Sequence, residues 1–178
     1  MVVVMLAIGV AIFFALQALN SRKMDHAEDK IMKGYFLLGL SGLMAKIAMV
    51  DGRVTDDEAA MATRFFNQME LTDAEKALCI GNFVTSRREG LEARDHAKRF
   101  MAYANPAACE FLYELLWRIT NADGVLDPTE DKMMADIAKY LGLDVSLYND
   151  FKAGKRRNYN KAELRAAGVP SSLVALAG

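Results

Sequence analysis

The chain has 178 residues, 53% of them hydrophobic and 25% charged, with a net charge of −1. That balance excludes a chain-wide basic field for nucleic acid, and the length beyond an apolar N-terminus suits one domain with a sizeable core. Three prolines, eleven methionines and no alternating Val/Thr/Ile runs bounded by turns point to an all-α protein.

Residues 1–19, MVVVMLAIGVAIFFALQAL, carry no charge. As a helix they would span roughly 28 Å, close to the hydrocarbon core of a bilayer. No basic residue precedes the stretch and no small-x-small cleavage site is evident. An uncleaved anchor over residues 1–20 is therefore favoured over a signal peptide or a buried core helix. Arg22, Lys23, Lys30 and Lys33 follow it. The positive-inside tendency then leaves the C-terminal bulk in the cytoplasm, which in a bacterium means a single-pass inner-membrane protein. Ala7, Ala11 and Ala15 form a small-residue stripe that would let two such helices approach as a homodimer.

Residues 21–30 read as a polar linker, and a helical domain is expected over residues 31–151. Its first helix is predicted from about Ile31 to Val50, with Lys33 and Lys46 leaving too short an uncharged run for a second membrane span. Further helices are predicted near 73–85, 91–103, 107–121 and 145–151. Cys79 and Cys109 fall inside apolar helical patterns and read as core residues of a reducing compartment rather than as a disulfide. The two histidines, His26 and His96, lie among polar residues and are expected to face solvent. Tyr113 and Trp117 are expected to fill the bundle.

The chain matches itself without gaps at an offset of 72. AKIAMVDGRVTDDEAAMATRFFNQMEL (45–71) aligns with WRITNADGVLDPTEDKMMADIAKYLGL (117–143), pairing Asp51 with Asp123, Gly52 with Gly124 and Glu58 with Glu130. Two similar helix–turn–helix units follow from this repeat. In the first seam, Gly52 is placed to stop a helix, Thr55 to cap the next, and Glu58 to complete a capping box. In the second, Asp127 is the N-cap, Pro128 the first helical residue and Glu130 the third. Met61, Phe65 and Met69, and in the copy Met133, Ile137 and Leu141, are expected on one buried face.

The seams also carry half of a calcium-loop pattern. With Gly52 at loop position 6, Thr55 falls at 9 and Glu58 at 12, but positions 1 and 3 are Ile47 and Met49. Calcium needs six to eight oxygens, so a helix joint is favoured. Asn121, Asp123, Asp127 and Glu130 form the better candidate for a divalent cation. No GxSxG, P-loop, HExxH or glycine-rich phosphate cradle occurs. A non-enzymatic protein with no cofactor and no catalytic residue is expected.

The apolar N-terminus, GRVTDDEAAMATRFFNQMEL and LWRITNADGVLDPTEDKMMADIAKYLGL together resemble the TerB-like domain of the DjlA-type membrane-anchored co-chaperones, over roughly residues 1–151. The paired D-G-x-[VL] seams, each with an acid six residues after the Gly, carry the resemblance. It implies an all-helical bundle, inner-membrane insertion, self-association through the membrane segment, assistance to an Hsp70-type chaperone and a link to envelope stress. The broader TerB group is associated with tellurite resistance. A J-domain acts through a His-Pro-Asp motif, which this chain lacks, since His26 and His96 are each followed by Ala. Stimulation of an Hsp70 is therefore not assigned to these residues. The expected function is recruitment of protein partners, Hsp70-system or envelope-stress components among them. The alternative is a stress-response protein that binds a metal ion or oxyanion at the acidic seams.

Residues 152–178 read as a basic tail or linker. KAGKRRNYNK (152–161) holds five basic residues and one aromatic, a pattern suited to an acidic partner or acidic lipid and too narrow for nucleic acid.

Overall fold

The computed structural model describes residues 29–50, 56–69, 71–88, 90–121, 127–155 and 157–177. The expected anchor over 1–20, with Ala7, Ala11 and Ala15, and also His26, lie outside the described residues. Among the described residues no helix is long and apolar enough to cross a membrane.

The described residues form helices and no strand. They are α1 over 29–47, α2 Asp56–Gln68, α3 Asp73–Arg88, α4 Ala93–Met101, α5 Pro106–Thr120, α6 Pro128–Tyr140, α7 Val145–Lys152, α8 Lys161–Ala166 and α9 Ser171–Val174. Most starts are written in the local sequence. Thr72 and Glu75 make a reciprocal capping box ahead of α3, the Thr72 N–H donating to Glu75 Oε2 over 2.9 Å. Glu92 and Asp95 do the same for α4. Asn105, Asp144 and Asn160 each accept a backbone N–H at the start of α5, α7 and α8.

The repeat is visible in the packing. Leu40, Leu43 and Met44 of α1 are buried, and so are Leu112, Leu115 and Leu116, their counterparts 72 residues on in α5. In the second helices the volumes are exchanged. Ala62 and Phe66 are buried in α2 where Met134 and Ala138 are buried in α6. One unit places its large side chain a turn later than the other, and each fills the core from its own position. The expected faces hold in part: Met69, Ile137 and Leu141 are buried as expected, Phe65 and Met133 are half-buried while their neighbours Phe66 and Met134 are fully covered, and the side chain of Met61 lies outside the described residues.

Helices α1 and α4 run antiparallel in close contact. Phe100 stands 2.6 Å from where a Cβ on Gly39 would sit, and the His96 ring occupies the notch left by Gly42. That notch explains a correction: His96 is buried, not solvent-facing. Asn82 of α3 ties in from another side, donating to Ser41 Oγ over 2.8 Å and to the Leu38 carbonyl over 3.0 Å.

The segment expected as a tail or linker is also corrected. Helices α8 and α9 fold back, burying Leu164, Val169, Leu173, Val174 and Ala177, with α8 against α5. Gly168 has φ +77°, and a Cβ there would strike the Met32–Lys33 backbone. Only glycine allows that left-handed turn to close on α1.

Candidate functional site

The second seam is a completed helix start. The Asp127 carboxylate accepts the Thr129 N–H over 2.7 Å and also the Thr129 hydroxyl, while the Asp127 N–H donates to Glu130 Oε2 over 3.1 Å. Pro128 stands at the first helical position. These bonds hold the Asp127 carboxyl below the usual carboxylate range, the Thr129 hydroxyl contributing most. The expected capping box over Asp127 and Glu130 is therefore present. Asn121 is the exposed C-cap of α5, its N–H donating to the Trp117 carbonyl. Asp51, Gly52, Thr55, Asp123 and Gly124 lie outside the described residues, as does the side chain of Glu58. Helix α2 does begin at Asp56, directly after Thr55. Among the described residues no group of three or more His, Cys, Asp or Glu is gathered so as to hold a metal ion.

Beside this seam, α6 and α7 are joined by a polar cluster that the sequence reading missed. The Tyr148 hydroxyl and the Lys152 ammonium both donate to Asp131, each over 2.6 Å. Lys152 lies 5.6 Å from the Tyr148 ring centroid, and Trp117 meets that ring edge-on at 6.0 Å. Lys152 and then Tyr148 hold the Asp131 carboxyl below its ordinary range. The i to i+21 spacing of Asp131 and Lys152 is not a helical period, so nothing in a single-helix pattern announces it.

A second polar lock lies where the C-terminal segment crosses α5. Glu114 is only 2% exposed, a costly place for a carboxylate without partners. Arg118, one turn on, pairs with its Oε1, and the Tyr159 hydroxyl donates to Oε2 over 2.7 Å. Burial, and then the carboxylate beside it, push the Tyr159 phenol far above its usual range. Arg157 pairs with Glu110 at 3.2 Å, and Asn105 donates to the Glu163 carbonyl over 3.1 Å. Glu110 and Glu114 share a helix face at i, i+4, the one signal in the sequence that could have pointed to a basic or phenolic partner.

A cavity of about 390 Å³ opens between the α4–α5 and α6–α7 turns, lined by Met101, Cys109, Glu110, Leu143, Ser146 and Arg157 among others. The thiol on its wall is no nucleophile: burial, then the Glu110 charge, push Cys109 up to about 11, and burial, then Glu75, push Cys79 up to about 12. Both cysteines are free and buried, as expected of core residues.

These contacts describe joints. Asp127 and Glu130 start a helix, and Asp131 and Glu114 each accept from a partner on another segment. The family model described as "Tellurite resistance protein TerB" matches residues 37–153, from the third turn of α1 to the end of α7. No curated protein and no solved structure matches the chain.

Proposed function

The chain belongs to the TerB family, and from that premise we propose that it is a membrane-anchored, non-enzymatic interaction module. It recruits protein partners in chaperone or envelope-stress pathways, as the resemblance to the DjlA-type co-chaperones implies. The uncharged stretch 1–19 with its basic flank supports a single-pass inner-membrane anchor and a cytoplasmic bundle. The observation that carries the non-enzymatic reading is the second seam. Asp127 and Glu130 spend their carboxylates on backbone amides at a helix start, which is the work of a joint. The test is in-cell crosslinking of the full chain in its membrane, with identification of captured proteins. Chaperone or envelope-stress components are expected; their absence among the captured proteins overturns the pathway assignment.

A second reading has the family's name in its favour: a metal-ion or oxyanion binder using the acidic seams around Asn121, Asp123, Asp127 and Glu130. Titration calorimetry with calcium and with tellurite separates the two. An ion site gives a measurable affinity that Asp123→Ala abolishes. A joint gives no heat, and Asp127→Ala or Thr55→Ala lowers the melting temperature alone.

A further inference from the structure

The antiparallel contact of α1 and α4 brings the first turns of α1 beside the last turn of α4. Three side-chain meetings step along it: His96 at Gly42, Phe100 at Gly39, and Tyr103 stacked on Tyr35 with ring centroids 3.6 Å apart and planes within 10°. At this end the apolar surface is uncovered. Ile31 is 57% exposed, Tyr103 47% and Met101 42%, and Ile31 lies one turn before Tyr35 on the same helix face. A stacked tyrosine pair with an exposed isoleucine and methionine is poorly suited to water. It suits the headgroup layer of a bilayer, where rings with an apolar body and a polar tip collect.

Four basic side chains are exposed around this end. Lys30 precedes Ile31, Lys98 and Arg99 occupy the last turn of α4, and Arg165 lies three residues before the Gly168 that seats on Met32–Lys33; all four are exposed. Of the nearby acids, Glu75 is paired with Lys33 at 2.8 Å and Glu110 with Arg157 at 3.2 Å, while Asp29, Asp144 on the cavity wall with Met101, and Glu163 are exposed. The chain also constrains where this end can be. Residues 20–28 join the uncharged stretch to α1, a reach of at most about 30 Å when fully extended. They include two more basic residues, Arg22 and Lys23.

We propose that the end of the bundle bearing Ile31, Tyr35, Met101 and Tyr103, ringed by Lys30, Lys98, Arg99 and Arg165, docks on the surface of an anionic bilayer. The inference rests on the anchor proposed above and adds an orientation: α1 and α4 stand with this end against the lipid, and the opposite end, where α1 and α5 finish, faces the cytoplasm. Partners would then meet that end.

The test uses the full chain reconstituted in vesicles of phosphatidylcholine, alone or mixed with phosphatidylglycerol. A bimane probe is attached at Ala102→Cys, beside the patch, or at Arg94→Cys, at the other end of α4. Both positions are exposed, whereas Cys79 and Cys109 are buried. Quenching by a headgroup nitroxide lipid is expected to be strong at 102, weak at 94, and dependent on phosphatidylglycerol. Lys98→Glu together with Arg99→Glu is expected to cut the contacting population at least about fivefold, the attraction of even one basic residue to an anionic surface. Equal quenching at 102 and 94 in a chain that resists alkaline carbonate extraction overturns the docking and leaves the anchor standing. A disulfide-linked dimer formed when the unlabelled Ala102→Cys chain is treated with an oxidant, together with a bimane at 102 that escapes quenching, overturns it in favour of a dimer contact. Should carbonate release the chain, the anchor reading fails, and flotation decides the patch. Co-flotation with phosphatidylglycerol vesicles that Ile31→Ser and Tyr103→Ser abolish upholds it, and no flotation overturns it.

Discussion

The Tyr159 hydroxyl donates to the Glu114 carboxylate over 2.7 Å, joining residues 45 positions apart. This bond completes a buried charge that Arg118 satisfies on one oxygen only. Tyr159→Phe leaves the second oxygen buried without its donor, at a cost of about 1–3 kcal/mol. Chemical denaturation of wild type and variant measures it. Limited proteolysis should also cut the variant sooner within 155–160. Unchanged stability and cleavage would mean that the lock does not hold the C-terminal segment.

The same segment gives a sharper test at Gly168. Its φ of +77° and its seat against the Met32–Lys33 backbone both exclude a side chain. Gly168→Ala is expected to destabilise by more than about 1 kcal/mol, since neither the conformation nor the space accepts a Cβ. Leu164→Ala, at a fully buried site, should cost about 2–5 kcal/mol. If both are neutral in urea unfolding, α8 and α9 are not part of the cooperative unit.

Why these contacts escaped the sequence is a matter of range. The helices of the bundle were legible because caps and 3.6-residue periodicity are local: Asp127, Pro128 and Glu130 specify a helix start by themselves, and α6 begins there. Helix α8 has six residues and α9 four, too short to display a period. Their fate depends on Glu114, Gly168 and a surface of α5 that no local pattern reveals. His96 was misjudged for the same reason. Its neighbours in sequence, Asp95 and Lys98, are polar, while its neighbour in space is the glycine notch at Gly42. The reading of residues 1–20 as an anchor drew on composition alone, and its test is chemical extraction from membranes.

The notch predicts its own substitution. A Cβ at Gly42 would strike the His96 ring, and one at Gly39 would lie 2.6 Å from Phe100. Gly42→Ala should therefore force α1 and α4 apart, costing about 1–3 kcal/mol as overpacked cores do, even though alanine is the better helix former. Gly34 has open space around it, so Gly34→Ala should be stabilising by about 0.5–1 kcal/mol. The opposite signs, read as melting temperatures, separate close packing from helix propensity; two stabilising alanines would refute the contact.

The buried thiols set an alkaline limit. Folding raises Cys79 to about 12 and Cys109 to about 11, chiefly by burial. The unfolded thiols ionise at about pH 8.5. A raised folded pKa leaves stability intact below the unfolded value and removes it as pH climbs toward the folded one. Stability should fall from about pH 9 upward, with a shallower fall in Cys79→Ala. At neutral pH both thiols should resist a disulfide reagent until denaturant is added. Rapid modification of the native chain would contradict their burial.

Asp131 sets the acid limb. Lys152 and Tyr148 hold its carboxyl below the ordinary range, so the folded state keeps it charged at a pH where the unfolded chain has begun to bind protons. A depressed folded pKa contributes stability above the unfolded value, near pH 4, and loses it as pH falls through the folded value. The Asp131 side chain is 27% exposed and that of Lys152 52%, so solvent screening keeps the contribution to a fraction of the pairing energy. Asp131→Asn should lower the urea midpoint at pH 6, and the difference from wild type should close as the pH falls through the depressed folded value and the wild-type carboxyl takes up its proton. Lys152→Met should shrink the same gap, because it removes the largest cause of the depression. A gap that persists unchanged at low pH would mean that Asp131 acts through shape and hydrogen bonding alone. The ion pair between α6 and α7 would then contribute nothing to holding the end of the matched TerB region.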